Sequence, residues 1–222
     1  MKNRIKQFFE SRESAGEELS QKLWKYRNGR TVVIGIPRGG VPLAAVVAKN
    51  LNLPLDVAVV KKIGHPSNPE LAIGAVSSEG LILDPEAAKI PEDILMERIK
   101  TVKEQVKRQN ELYRGQIKEQ KLDGVRVIVI DDGMATGNTM RATLNLLRKK
   151  NPASIILAVP VASRESVRKT RFIADEFICL MEPDLFFSVG QFFRDFRAVS
   201  DKEVSRLIAD ANKGRNSGFG YF

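Results

Sequence analysis

The chain has one cysteine, one histidine and one tryptophan in 222 residues, and each scarcity removes a class of chemistry. Cys179 lies in the apolar segment FICL, so neither an intrachain disulfide nor a multi-thiolate zinc site can form, and it reads as a small core residue. His65 stands beside Pro66 without a nearby Ser or Cys nucleophile or a second ligand, which excludes a catalytic triad and a histidine metal site and leaves a loop residue. No apolar stretch approaches a membrane span. The first nineteen residues, MKNRIKQFFESRESAGEEL, are charged throughout and lack the apolar core of a signal peptide, so the expected compartment is the cytoplasm. Two phosphate-binding patterns are missing: there is no GxxxxGK[ST], and no GxGxxG follows a strand-like segment. Basic residues are plentiful, giving a net charge of +9, but no long basic run is interleaved with aromatics. The small clusters at Lys61 and Lys62 and at Arg148 to Lys150 read as solvated faces rather than a nucleic-acid groove, and a positive surface equally suits a substrate with several phosphates. With 43% hydrophobic and 28% charged residues, no repeat and no linker, residues 1–222 are expected to form a single domain.

The periodicities that are present alternate between strand and helix. A charged N-terminal segment reads as helix to about Tyr26. TVVIGI, Thr31 to Ile36, reads as a strand broken by Pro37, Arg38, Gly39 and Gly40; helical spacing follows from Val41 to Leu51, then a second strand from Leu55 to Ile63. That strand, helix, strand unit implies parallel pairing. In Gly64 to Glu70, two prolines, a glycine and an asparagine discourage regular structure and suggest a mobile lid; LAIGAV and LILD then suit a hairpin across Ser77 to Gly80. Leu95, Ile99, Val102, Val106 and Tyr113 fall on one face of a helix from Glu92 to Arg114. Beyond it come a strand at Val127 to Ile130, a helix from about Asn138 to Lys150, a strand in SIILAVP, a helix from about Arg164 to Arg171, and EFICL as a last strand. Ser200 and Glu203 form a capping box for a short final helix, with Val199 and Val204 as its hydrophobic staple, and NKGRNSGFGYF reads as a loosely held tail. The fold class is therefore α/β, a Rossmann-like open, mainly parallel sheet flanked by helices.

The segment VIVIDDGMATGNT, Val127 to Thr139, carries the chemistry. An apolar run of this kind suits a strand buried on both faces, and ligands collect beyond the carboxyl ends of such strands, where Asp131 and Asp132 stand. Carboxylates accept from vicinal hydroxyls. Backbone N–H groups of Ala135, Thr136, Gly137, Asn138 and Thr139, with the hydroxyls of the two threonines, lie at a helix start and suit a phosphate. Together they describe a ribose 5-phosphate. In GIPRGGV, Gly39 and Gly40 let backbone N–H groups approach an anion and Arg38 offers a bidentate fork, which suits a pyrophosphate. Lys61 and Lys62 end the second strand on the same edge.

This order of apolar strand, two acids and Thr-Gly-x-Thr resembles the phosphoribosyl pyrophosphate (PRPP) motif of type I phosphoribosyltransferases. The resemblance covers about Thr31 to Leu180. It implies a core at about 31–180, a small hood from about 1–26 and 181–222, and a hairpin-and-lid insertion. It also implies PRPP bound with Mg2+, transfer of the phosphoribosyl group to a nucleobase-like acceptor, and release of pyrophosphate. Asp131, Asp132, Arg38 and Lys62 would be the catalytic set, with Pro37, Arg38, Gly39 and Gly40 as the pyrophosphate loop, whose relatives often contain a cis peptide, here Pro37 to Arg38. No direct protein ligand to the metal is implied: Mg2+ would ride on PRPP, reaching Asp131 and Asp132 through water. PDLFFSVGQFFRDF is similar to the stretch in which an aromatic stacks on the base, making Phe187, Ser188 and Val189 the base-binding residues. One departure stands out. Hypoxanthine and guanine enzymes place an acid before the Thr-Gly, where this chain has Ala135, while adenine and orotate enzymes lack it too; the base stays open. The expected assembly is a homodimer with small-molecule partners and no membrane, and the alternative reading is a non-catalytic PRPP sensor that binds nucleic acid.

Overall fold

The computed structural model describes residues 8–78, 80–115 and 119–213. Five strands, β1 (Thr31–Gly35), β2 (Leu55–Val57), β6 (Arg126–Ile130), β7 (Ser154–Val161) and β8 (Glu176–Met181), form an all-parallel sheet in the order β2-β1-β6-β7-β8. Both faces are covered, as the apolar runs demand. Alternate residues point to opposite faces: Val33, Ile128 and Ile156 join one core with helices α1 (Arg12–Lys22) and α2 (Gly40–Leu51), while Val32, Val127, Val129 and Leu157 join another with α4 (Asn138–Arg148) and α5 (Arg164–Thr170). No described helix is long and apolar enough to cross a membrane.

The expected second strand, Leu55 to Ile63, is two strands in two sheets. β2 pairs with β1 for three residues only; β3 (Lys61–His65) then starts a separate antiparallel sheet with β4 (Asn68–Ser77) and β5 (Gly80–Leu83). A continuous apolar run cannot reveal this switch, because pairing partners decide it. The lid segment is also more regular than its prolines suggest. Residues 64 and 65 and 68 to 70 are strand, closed by a turn at Pro66 and Ser67. The register shifts on either side of Gly64, where an added Cβ would lie 2.6 Å from the Pro69 carbonyl, so a bulge absorbs the misfit. The β4–β5 hairpin across Ser77 and Gly80 forms as expected. This small sheet lies against α3 (Glu92–Arg114), the long amphipathic helix expected there, and against α4, where Lys149 donates to the Leu81 carbonyl (3.0 Å) and Arg141 pairs with Asp84 (3.7 Å).

Two side chains fasten the short edge strand β2. Asp56 is buried; its carboxylate accepts from Arg114 Nε (2.9 Å), from its neighbour's Val57 N–H (2.8 Å) and from the Gln120 N–H (3.0 Å), and burial pushes it up while Arg114 opposes the shift. At the other end of the chain Asn212, which closes α6 (Asp201–Asn212), donates to the Leu55 carbonyl (2.8 Å) and accepts the Leu55 N–H (3.3 Å). The start of α6 forms half of the expected capping box: Ser200 accepts the Glu203 N–H (3.2 Å), but the Glu203 carboxylate turns to Arg197 (2.6 and 2.8 Å). The N-terminal helix is α1 followed by a 3-10 turn, Trp24–Tyr26, and the last nine residues of the tail lie outside the described residues.

Candidate active site

The carboxyl ends of β1 and β6, paired side by side, bring the two segments expected to bind phosphate into contact. Ile36 N–H donates to the Ile130 carbonyl (2.9 Å), so the first turn after β1 is tied to the acidic end of β6. The glycines there are required by approach rather than by φ. A Cβ on Gly39 would lie 2.0 Å from Asp132 Oδ2, and one on Gly40 would lie 2.6 Å from the Ile130 carbonyl and 2.8 Å from Asp131 Cα. The Pro37–Arg38 peptide is cis. Arg38 and Gly39 N–H groups donate to no protein acceptor among the described residues, and the Arg38 side chain is half exposed with Asp201 3.9 Å away.

The second loop is shaped from behind. Ser163 donates to the Ala135 carbonyl and Ser166 to the Met134 carbonyl (3.0 Å), while Gly137, at φ +72°, sits against Ser166 and begins α4. Only a glycine takes that left-handed φ without cost. With those carbonyls held, the N–H groups of Ala135, Thr136, Gly137, Asn138 and Thr139 have no protein acceptor among the described residues. Unsatisfied donors at a helix start make an anion cradle.

Between the cradles lie the acids. Asp131 Oδ1 accepts the Asp132 N–H (2.9 Å), and burial together with the Asp132 charge holds the Asp131 carboxyl well above the usual range. Burial raises Asp132 too, but Arg12 opposes it with two bonds to Oδ2, from Nε at 2.9 Å and Nη2 at 2.7 Å. Arg12 is a residue that the sequence reading missed. It lies in the first turn of α1, 120 positions away, and nothing local marks it.

Two adjoining cavities flank this edge, sharing Val60 and Thr139 in their walls. One, of about 530 Å³, is lined by Arg38, Lys61, Gln109 and Asp201. There Tyr113 Oη donates to Asp201 Oδ1 (2.6 Å) and accepts from Gln109 Nε2 (2.6 Å); burial, reinforced by Asp201, pushes the phenol up to about 12, so it stays a donor. The other, of about 620 Å³, is lined by Lys62, Thr136, Asn138 and Arg141 beneath the small sheet. Successive residues of a strand face opposite ways. It is accordingly Lys61, rather than Lys62, that shares a cavity with Arg38, and Lys62 instead faces the Thr136 to Thr139 loop. Among the described residues no group of three or more His, Cys, Asp or Glu side chains could hold a metal.

The terminal segments expected to form a hood meet on the far side. Phe9 and Phe193 bridge the two terminal segments; the Phe193 ring packs between Phe9 (centroids 5.4 Å) and Phe196 (5.1 Å), and Phe186 packs on Phe192 (5.2 Å). Phe187 is left out, 84% exposed. Its N–H and that of Ser188 both donate to Gln191 Oε1 (3.0 and 3.2 Å), so both N–H groups are already engaged with the protein. Val189 presses on Gly133, where a Cβ would lie 2.6 Å from Val189 Cγ1, which sets the hood directly beside the acids.

Known proteins share this sequence pattern and fold. The family model for the phosphoribosyl transferase domain matches residues 5–196. Two curated proteins from two strains of Mycobacterium tuberculosis, provisionally named as phosphoribosyl transferases, are 37% identical over 211 residues, covering 92% of this chain. The chain spans about half the length of these relatives, 47%. The crystal structure of TT1426 from Thermus thermophilus is 35% identical and superposes with a TM-score of 0.81 over 91% of this chain and 98% of that one. A hypothetical protein from Neisseria gonorrhoeae with bound ppGpp shares the fold at 15% identity and a TM-score of 0.50, over 94% of this chain and 99% of that one. On the match to most of its length, the chain belongs to the phosphoribosyl transferase domain family.

Proposed function

We propose that the protein binds PRPP with Mg2+ and transfers its phosphoribosyl group to a nitrogen of a nucleobase-like acceptor, with release of pyrophosphate. The observation that carries this reading is the contact of the Arg38–Gly39–Gly40 turn with Asp131 and Asp132, with unsatisfied N–H groups on both sides of the acids. A ligand with a phosphate at one end, vicinal hydroxyls in the middle and a second anion at the other end complements that sequence of groups.

In this reading the Ala135 to Thr139 loop holds the 5′-phosphate, Asp131 and Asp132 accept from the ribose hydroxyls, and Arg38 with the free N–H groups of its loop takes the pyrophosphate. The acids fit a metal carried in on the ligand's own oxygens, because among the described residues each retains an oxygen without a protein donor and no all-protein cage of such ligands surrounds them. Bound Mg2+ would supply charge neutralisation on the departing pyrophosphate. Arg38 adds to that, and aimed cations of this kind contribute several kcal/mol, about 3, to a transition state. Lys61, in the Arg38 cavity, is the second cation suited to pyrophosphate, and Lys62 to the 5′-phosphate side. Phe187 offers a face for the acceptor ring, and the small antiparallel sheet would keep competing water away.

The experiment is to incubate the protein with PRPP and Mg2+ against a panel of purine and pyrimidine bases and to measure pyrophosphate. Base-dependent release supports the transferase. PRPP binding without release from any base, together with salt-sensitive nucleic-acid binding, would replace it with the sensor reading.

A further inference from the structure

Each acid of the pair has one oxygen already occupied by the protein. Asp131 Oδ1 accepts the neighbouring N–H, and Asp132 Oδ2 accepts both bonds from Arg12 while lying where a Gly39 Cβ would be. Asp131 Oδ2 and Asp132 Oδ1 have no protein donor among the described residues. One oxygen per acid is therefore open. For Asp131 the backbone makes that selection; for Asp132 it is made by a side chain from another element.

Arg12 is itself held in place. It is buried, 7% exposed; its Nη1 donates to the Arg197 carbonyl (2.7 Å), and its guanidinium lies over the Phe196 ring, 3.8 Å from the centroid. All three of its nitrogens are donating to protein, so it is not a spare cation waiting for phosphate. Ser11, which caps α1 with Ser14 in a reciprocal box, fixes the helix start from which Arg12 projects. A planar fork packed this way pins a carboxylate far better than a lysine would.

We propose that Arg12 is a positioning residue for the donor site: by occupying Oδ2 of Asp132 it presents Oδ1 to one ribose hydroxyl, while Asp131 Oδ2 serves the other. The inference rests on the donor reading above and extends it, since it makes hydroxyl recognition depend on the hood helix α1.

The test is calorimetry with ribose 5-phosphate and its 2-deoxy and 3-deoxy analogues, on the wild type, Arg12→Gln, Arg12→Lys, Asp132→Asn and the double variant Arg12→Gln with Asp132→Asn. A hydrogen bond to a charged group supports roughly tenfold discrimination, so the wild type should disfavour each deoxy sugar by about that factor. Arg12→Gln should erase the preference at one hydroxyl and keep it at the other; Arg12→Lys, which retains charge and is the milder change for folding, should restore part of it. In the Asp132→Asn background Arg12→Gln should add nothing. Equal loss for all three sugars in the Arg12 variants, or an unaltered hydroxyl preference, would overturn the role of Arg12 alone. No binding of PRPP or ribose 5-phosphate by the wild type would overturn the donor reading itself.

Discussion

The two sides of the site are built in opposite ways. On the side proposed for the donor, close backbone approach and buried side chains share the work: Gly39 and Gly40 touch the acids, Arg12 pins Asp132, Ser163 and Ser166 hold the carbonyls of the cradle, and each acid keeps one oxygen without a protein donor among the described residues. On the side of the terminal segments the most exposed aromatic ring among the described residues is Phe187, on a loop kept in shape by one glutamine. A side made of shared backbone geometry suits one ligand closely. A side made of one ring and a loop can change its partner at little cost to the rest of the fold, because aromatic stacking accepts many flat rings.

If that contrast holds, the largest effect should come from Asp131→Asn with Asp132→Asn, which should abolish PRPP binding by calorimetry while the protein stays folded by circular dichroism; unchanged affinity would break the donor half of the comparison. Next, Gly39→Ala forces a methyl into Asp132 Oδ2, and should cost roughly 1–3 kcal/mol of stability in chemical denaturation as well as most of the donor affinity. A tolerated alanine would mean that the turn and the acids separate easily. Phe187→Ala should leave PRPP affinity intact and weaken the acceptor by about 1 to 3 kcal/mol, read as a rise in acceptor KM. Gln191→Ala should do the same on a smaller scale, about 1 kcal/mol, by loosening the loop.

Acidity sharpens the comparison from another direction. Burial and the Asp132 charge raise the folded carboxyl of Asp131 above its usual value, so protonation favours the fold: this contribution is present at low pH and lost as pH rises through the folded value. Donor binding needs the carboxylate and should strengthen over that same window, from about pH 4 upward. Denaturation and calorimetry across it should run in opposite directions, while the stacking contribution of Phe187 stays flat.

Much of this was readable from the residues. The helix at Glu92–Arg114, the strand at Arg126–Ile130 and the turns that follow β1 and β6 come from periodicity and turn chemistry, which are local. The break between β2 and β3 was not, since Leu55 to Ile63 is one apolar run and only the competition between β1 and β4 for partners divides it. The choice between Lys61 and Lys62 turned on which face of β3 meets the Arg38 cavity, and that depends on how the small sheet is docked. Arg12 was invisible for a related reason. Its helix contains Ser14, Gly16 and Ser20 and shows little amphipathic pattern, and its partner lies more than half the chain away. Long-range electrostatics leave no spacing to read.

The side chain of Asn212 acts as a substitute strand. By giving and taking one hydrogen bond with Leu55 it fills the place where a neighbouring chain would add to the open border of the parallel sheet. The last turn of α6 thus covers the outward-facing backbone groups of Leu55. Cutting the chain just before Asn212 would leave the pocket residues in place and yet expose β2, so the first symptom should be concentration-dependent aggregation rather than a change in chemistry.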